Sequence, residues 1–244
     1  MLGLWGVDEL VTTWRIGTRP QRTADDLGVH VDGLLALRDV DPAEITGLIV
    51  STTVPALAAA WACVGRDQLG VPTLAAGPAL KSGMPIRMDN PREVGPDRIV
   101  NAMAAFERAG SACISVDFGT STNFDAVSAA GEYVGGVLAP GIAISMDALF
   151  ARAARLSSVE FTAPPQVIGK NTVHALQSGL VYGFAGQVDG VVARMREELG
   201  GKSVVFATGG LSELIVPHAS TLDVHAPDLT LEGLRLLWEL NSER

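Results

Sequence analysis

Cysteine is scarce in this chain: Cys63 and Cys113 are the only two among 244 residues, and both lie in apolar stretches. The fold must hold without disulfide staples, and the two cysteines read as buried thiols of a reducing compartment. Aromatic residues make up only 5% of the chain, and Trp5, Trp14, Trp61 and Trp238 are too dispersed to form a base-stacking platform. His30, His174, His218 and His225 are equally scattered, and no Cys/His spacing matches a zinc site. No Gly-x-Ser-x-Gly elbow occurs, so a hydrolase-type serine nucleophile has no candidate. No apolar run is long enough to cross a bilayer, and the start shows no basic segment leading into an apolar one, so a cytoplasmic location is expected. Positive charge is in deficit, with 18 Lys and Arg against 27 Asp and Glu for a net charge of −9. That balance argues against nucleic acid or an anionic membrane as a general partner, but it leaves room for a local site that takes an anionic small molecule.

Hydrophobic residues make up 48% of the chain and glycines number 27, a composition suited to an α/β protein with many tight turns. Strands are expected at Leu10–Ile16, Ile45–Ser51, Thr73–Ala76, Ala112–Val116, Phe124–Ser128, Tyr133–Leu138 and Ser203–Ala207. Helices are expected at Thr23–Leu37 with Thr23 as cap, at Ala56–Leu69 opened by Pro55, at Asp97–Arg108, at Ser145–Leu156 and at Leu229–Leu240. Helical segments also run from Val173 to Leu199, with an interruption expected around Gly179–Gly186, and Lys81–Gly95 reads as a loop. This alternation implies two α/β units, residues 1–110 and 111–244, joined near Gly110, with the cleft between them as the natural ligand site.

The strongest chemical signal is Asp117-Phe118-Gly119-Thr120-Ser121-Thr122, fed by the apolar run Ala112–Val116. In such a turn the carboxylate can hold a cation, the glycine lets the backbone approach a ligand, and hydroxyls and amides face phosphate oxygens. Asp97, in Gly95-Pro96-Asp97-Arg98 at a helix start, reads either as a simple cap or as the base that takes a substrate hydroxyl proton during phosphoryl transfer. Arg98 would then hold an anionic group. Asp89-Asn90-Pro91-Arg92 is either a plain turn or a wall of the same pocket. Gly169-Lys170-Asn171-Thr172 resembles a helix start capped by Asn171 or Thr172 and lacks Walker A spacing, while Ala207-Thr208-Gly209-Gly210 is either a post-strand turn that accommodates a nucleotide or a plain strand–helix turn. Glu197 and Glu198 beside Arg194 and Arg196 read as a solvated helix face.

Taken in order, these stretches resemble type III pantothenate kinases over essentially the whole chain. The resemblance rests on Trp14-Arg15-Ile16, Thr23-Ala24-Asp25, Asp89–Gly95, Asp97–Ala102, Asp117–Thr120, Gly135-Gly136, Ala139-Pro140-Gly141, Gly169–Thr172, Gln177-Ser178-Gly179 and Ala207–Gly210. It implies a two-domain actin-like, ribonuclease H-like ATPase fold with mixed sheets, a homodimer, and transfer of the γ-phosphoryl group of ATP to the primary hydroxyl of pantothenate. By the same resemblance Asp97 is the proton acceptor, and Gly95, Pro96, Asp97 and Arg98 form the pantothenate-binding segment. Thr172 is a further substrate contact. Thr120, with Gly119 and Gly209, contacts the nucleotide, Asp117 holds potassium or ammonium, and magnesium bridges the phosphates. Met88 stands where the family has a pantothenate-site tyrosine, Pro96 where alanine is common, and Asn123 where threonine is usual. The family's opening strand and its Asp-x-Gly-Asn-Thr phosphate loop are expected to be absent, because Met1-Leu2-Gly3-Leu4-Trp5 resembles the strand that follows them. Two readings of that short start are open: a start codon assigned too far downstream of an ordinary kinase, or a shortened, inactive paralogue that binds pantothenate or serves as a partner subunit.

Overall fold

The computed structural model describes residues 1–7, 9–152 and 159–242. The helix expected at Ser145–Leu156 thus lies partly outside the described residues, at 153–156. By internal packing the chain forms two units: Met1–Gly83, Arg92–Val100 and Leu231–Arg244 make unit 1, and Met84–Pro91 and Asn101–Thr230 make unit 2.

Unit 1 opens with β1 (Leu2–Trp5) and β2 (Leu10–Trp14), an antiparallel pair with a bulge at Leu4/Trp5. Helix α1 (Ala24–Ala36) starts at a reciprocal cap: the Asp26 amide donates to the Thr23 hydroxyl at 3.2 Å, and the Thr23 amide donates to the Asp26 carboxylate at 3.0 Å. The bond from the Thr23 amide, with that from its hydroxyl, holds the Asp26 carboxyl below its ordinary range. Strand β3 (Leu48–Val50) pairs in parallel with β4 (Thr73–Ala75). Between them Pro55, whose missing N–H is harmless in a first turn, opens α2 (Pro55–Cys63). The expected helix to Leu69 changes winding on the way, because Val64–Leu69 forms a wider π turn that ends at Gly70. Leu27, Trp61 and Val64 form the core here, with Leu2 of β1 and Leu48 and Val50 of β3 packed against them. Both strand pairs lean on the same helices, yet no described strand pairs with both β1 and β3. Helix α3 (Pro96–Ala109) begins in unit 1 and ends in unit 2.

Unit 2 is built on one five-stranded mixed sheet of order β7-β6-β5-β8-β9. Its strands are β5 (Cys113–Phe118), β6 (Ser121–Val127), β7 (Tyr133–Pro140), β8 (Val204–Thr208) and β9 (Val224–His225). The period-two alternation of β5 and β6 sends Ile114, Val116, Phe118, Phe124 and Ala126 into the main core. There they meet α4 (Ile142–Arg152), through Ile142 and Met146, and α5 (Thr172–Glu198). On the opposite face Arg108 of α3 lies 5.3 Å from the Phe206 ring centre. Burial pushes the Cys113 thiol up to about 12, so it is an inert core group. The interruption expected at Gly179–Gly186 does not occur, and α5 is one helix of 27 residues. An added Cβ at Gly179, Gly183 or Gly186 would meet nothing within 4 Å, so these glycines sit on an open side. Each weakens the helix by about 1 kcal/mol, while Leu180, Val181, Ala185, Val188, Val192 and Met195 bury its other side and hold it continuous. The hairpin also differs from expectation. β6 begins at Ser121 rather than Phe124, so Asp117 lies within β5 and only Gly119 and Thr120 form the turn. The chain closes through α6 (Ser212–Ile215) and α7 (Leu229–Asn241).

Candidate functional site

The alternation that buries Ile114, Val116 and Phe118 leaves Ser115 and Asp117 on the other face of the sheet. In register, Asp117 sits opposite Asn123 on one side and Thr208 on the other. Two turns therefore leave the same end of adjacent strands: Gly119–Thr120 after β5, and Gly209–Gly210 after β8. Gly209 has φ +94°, and a Cβ there would collide with Asp117 Oδ1 and lie 2.6 Å from the Phe118 nitrogen. Gly141 closes the turn from a third direction: its amide donates to the Thr120 carbonyl at 3.1 Å, and a Cβ there would lie 2.6 Å from the Gly119 carbonyl oxygen. Gly119 is different in kind. Its amide donates to the Ser121 carbonyl at 3.0 Å, and a Cβ would stand an ordinary 3.6 Å from Asp117 Oδ1. The protein's own packing thus has room for a side chain at 119, and both Gly119 and Thr120 are exposed.

Asp117 is half-buried and its two oxygens face different surroundings. Oδ2 accepts from Asn101 Nδ2 at 3.2 Å, whereas Oδ1 faces the space that a Cβ at Gly209 would fill. Asn101 is 1% exposed, and its Oδ1 accepts from the Thr230 hydroxyl at 2.7 Å. A hard cation fits this donor chemistry, with a carboxylate oxygen set in a cradle that only glycine leaves open. Among the described residues no group of three or more His, Cys, Asp and Glu converges. A divalent ion here would take most of its ligands from phosphate oxygens and water, as magnesium commonly does.

In unit 1 the Gly95 carbonyl accepts from the Arg98 and Ile99 amides at 3.1 and 3.3 Å, so Gly95 takes the capping place at the start of α3. Asp97 is therefore inside the first turn and is not the cap. Its carboxylate folds back over Gly95, where a Cβ would lie 2.5 Å from Oδ1. Arg98 beside it is buried, Pro96 occupies the first helical position, and Asp97 is half-buried.

Met88 belongs to unit 2, in the segment laid against the start of β7. The Arg87 amide donates to the Tyr133 carbonyl at 2.8 Å, and the Tyr133 amide donates to the Pro85 carbonyl at 2.9 Å. These bonds seat the Met88 sulfur over Gly135, 3.4 Å from where a Cβ would be. Asp89 and Asn90, next along, are exposed, and Pro91–Glu93 forms a 3-10 turn. Thr172 opens α5 and is exposed, while Asn171 is the cap, accepting from the His174 amide at 2.8 Å. The structure thus gathers Asp117, Gly119, Thr120 and Gly209 at one place in unit 2, and Gly95, Pro96, Asp97 and Arg98 at one place in unit 1. Met88 and Thr172 lie on other elements of unit 2.

Three partners escaped the sequence reading. Asn101 donates to Asp117 and Thr230 donates to Asn101, and Tyr133, 0% exposed, donates its hydroxyl to Asp125 Oδ1 at 2.7 Å. The signal for Asp125 was present: Ser121, Asn123 and Asp125 alternate with Thr122, Phe124 and Ala126 along β6.

The sequence model for type III pantothenate kinase matches residues 1–194. The chain is 50% identical over 242 residues to the type III pantothenate kinase of Moorella thermoacetica, covering 99% of this chain and 95% of that protein. It is 53% identical over 243 residues to that of Acidothermus cellulolyticus, covering 99% and 94%. Among solved structures, a Baf family protein of Campylobacter jejuni matches with a TM-score of 0.53 at 17% identity, over 86% of this chain and 88% of that one. At that identity the likeness speaks to the mixed α/β fold alone. The family match spans most of the chain and the relatives nearly all of it, so the chain belongs to the type III pantothenate kinase family.

Proposed function

We propose that this protein transfers the γ-phosphoryl group of ATP to the primary hydroxyl of pantothenate, the first step of coenzyme A biosynthesis. The observation that carries the nucleotide half is the pairing of the Gly119–Thr120 and Gly209–Gly210 turns around Asp117 Oδ1. In this reading Thr120, Gly119 and Gly209 approach the phosphates, and Asp117 holds the monovalent cation, potassium or ammonium. When bound, that cation and the magnesium carried with ATP supply positive charge beside the phosphates. Asp97 accepts the proton of the pantothenate hydroxyl, with Gly95 leaving room for its carboxylate. Arg98 holds the anionic end of the substrate, and Pro96, Met88 and Thr172 complete its surroundings.

The actin-like, two-domain reading, with domains 1–110 and 111–244, is supported by the strand orders. Unit 2 runs β7-β6-β5-β8-β9, and unit 1 repeats its flanks as β2-β1 and β3-β4. A homodimer is supported by apolar residues left exposed on β7 and α4, namely Val134, Val137, Leu138, Ile144 and Leu149. No helix among the described residues is long and apolar enough to cross a membrane, in keeping with a cytoplasmic site of action.

The test is phosphopantothenate formation from ATP and pantothenate with magnesium and potassium, run on this chain. Asp97→Asn is expected to lower kcat by roughly 10²–10⁴ with little change in melting temperature. A folded protein that forms no phosphopantothenate, or that phosphorylates a sugar from a substrate panel instead, would overturn the reading.

A further inference from the structure

We propose that Ser212 and His225 are positioning residues that fix the Gly209–Gly210 peptide, leaving the Gly210 amide to donate to a phosphate oxygen of the nucleotide. The proposal rests on the reading of the Gly209–Gly210 turn as part of the nucleotide site.

A serine hydroxyl has one proton to give, and two groups stand ready for it at Ser212. Its Oγ lies 2.8 Å from the Gly209 carbonyl oxygen and 2.9 Å from His225 Nε2. A carbonyl oxygen can only accept, and two oxygens that close would repel without a proton between them, so the Ser212 proton goes to Gly209. An imidazole nitrogen can donate or accept, and beside a hydroxyl whose proton is already engaged Nε2 must donate. His225 therefore holds Ser212, and Ser212 holds the Gly209 carbonyl. Ser212 is 2% exposed, so bulk water does not compete for its place. Its amide adds a longer bond to the same carbonyl, at 3.2 Å. The His225 ring is exposed, but its backbone is stitched to β8: the Asp223 and Ala226 amides donate to the Val205 and Ala207 carbonyls at 3.0 and 2.8 Å.

The consequence falls on the next residue. Among the described residues no peptide bond is cis, so the Gly210 N–H points opposite to the Gly209 carbonyl across one planar unit. Pinning that carbonyl at Ser212 aims the Gly210 amide away from the buried serine. Gly210 is exposed, and its amide has no acceptor among the described residues. Backbone N–H groups presented in this way at a turn suit an anion such as phosphate. Beyond it the turn is tied to β5, where the Leu211 amide donates to the Phe118 carbonyl at 3.4 Å. Two successive glycines give the intervening peptide more rotational freedom than other residues would, so its direction depends on the bonds to its carbonyl. Removing the Ser212 hydroxyl leaves only the longer amide bond, and removing the His225 donor loosens the hydroxyl. Both changes act on the nucleotide side and leave the residues assigned to pantothenate untouched.

The experiment measures binding of a non-hydrolysable ATP analogue with magnesium by calorimetry on the full chain, with the KM values for ATP and pantothenate and the melting temperature alongside. Ser212→Ala is expected to weaken analogue binding and raise the KM for ATP by about three- to tenfold, with the KM for pantothenate unchanged. His225→Phe, which keeps a ring but removes the donor, is expected to shift both in the same direction. His225→Gln, whose amide nitrogen can reach the place of Nε2, is expected to restore them. The double variant Ser212→Ala, His225→Phe should be no worse than Ser212→Ala alone, because His225 acts through Ser212. Should Ser212→Ala fail to fold, the pair of substitutions at the exposed His225 carries the test. Wild-type analogue affinity in the folded variants, with or without a lower melting temperature, would overturn the positioning role and leave Ser212 and His225 a purely structural tie. Equal rises in both KM values would overturn it as well, because they report a loosened fold. Failure of the analogue to bind the wild-type chain would instead overturn the reading of the turn as a nucleotide site, and the proposal with it.

Discussion

Two glycines around Asp117 should respond in opposite ways to the same added methyl group. At Gly209 an alanine would hold φ +94°, a region that non-glycine residues occupy at a cost of about 1–3 kcal/mol. Its Cβ would also collide with Asp117 Oδ1 and lie 2.6 Å from the Phe118 nitrogen. Backbone cannot swing aside as a flexible side chain can, so overpacking adds about 1–3 kcal/mol. The sum, about 2–6 kcal/mol, is a large part of an ordinary domain stability of about 5–15 kcal/mol. At about 2–4 °C per kcal/mol for a chain of this size, Gly209→Ala should melt roughly 4–24 °C lower.

At Gly119 the backbone carries no positive φ, and the new methyl would make ordinary contacts at 3.6 Å with Asp117 Oδ1 and the Ser121 carbonyl oxygen. Gly119→Ala should therefore melt within about 0.5 kcal/mol of wild type, or slightly higher because the unfolded chain loses freedom. Its penalty should appear when a phosphate approaches the turn, as a rise of about tenfold or more in the KM for ATP, about 1.4 kcal/mol. Thermal melts and ATP titrations of the two variants separate these effects. A Gly209→Ala protein melting with wild type would refute the tight packing argued for that turn. A Gly119→Ala protein with wild-type KM for ATP would refute the close approach of nucleotide to residue 119.

Tyr133→Phe should destabilise the fold by about 1–3 kcal/mol, since it removes one donor from a carboxylate that is 1% exposed. In a chemical-denaturation cycle with Asp125→Asn the two losses should fall short of adding, and simple additivity would refute the coupling. Asp189 accepts from the Ser220 amide and hydroxyl at Oδ2 and from the Thr221 amide and hydroxyl at Oδ1, at 2.8–3.1 Å. Burial pushes its pKa up, but these bonds together outweigh it and hold the carboxyl below its ordinary value of 3.8. The depressed value makes its contribution fully present above about pH 4 and lost as pH falls through the folded-state pKa. Asp189→Asn should lower stability near pH 7 and flatten the acid limb of a melting-temperature profile, and an unchanged limb would refute the assignment.

Much of this site was legible because turn chemistry is local. Asp117, Gly119 and Thr120 stand within four positions of one another, and Thr208-Gly209 ends a strand of apolar residues, so the chain announces both turns without reference to its fold. What it does not announce is that the turns are neighbours. That follows from the parallel pairing of β5 with β8, which sets Asp117 beside Thr208 across 91 positions of chain, 208 less 117. The same limit hid Asn101 and Thr230. Their side chains meet across 129 positions, and an asparagine in a helix followed much later by a threonine at another helix start has no local meaning. The glycines of α5 misled for the related reason that propensity is read locally while burial is not. Each glycine weakens the helix by about 1 kcal/mol, but six buried apolar residues on its other side decide the outcome. The charge-bearing residue of a phosphate turn can therefore be named from its own segment, whereas the direction in which its carboxylate points belongs to the packing.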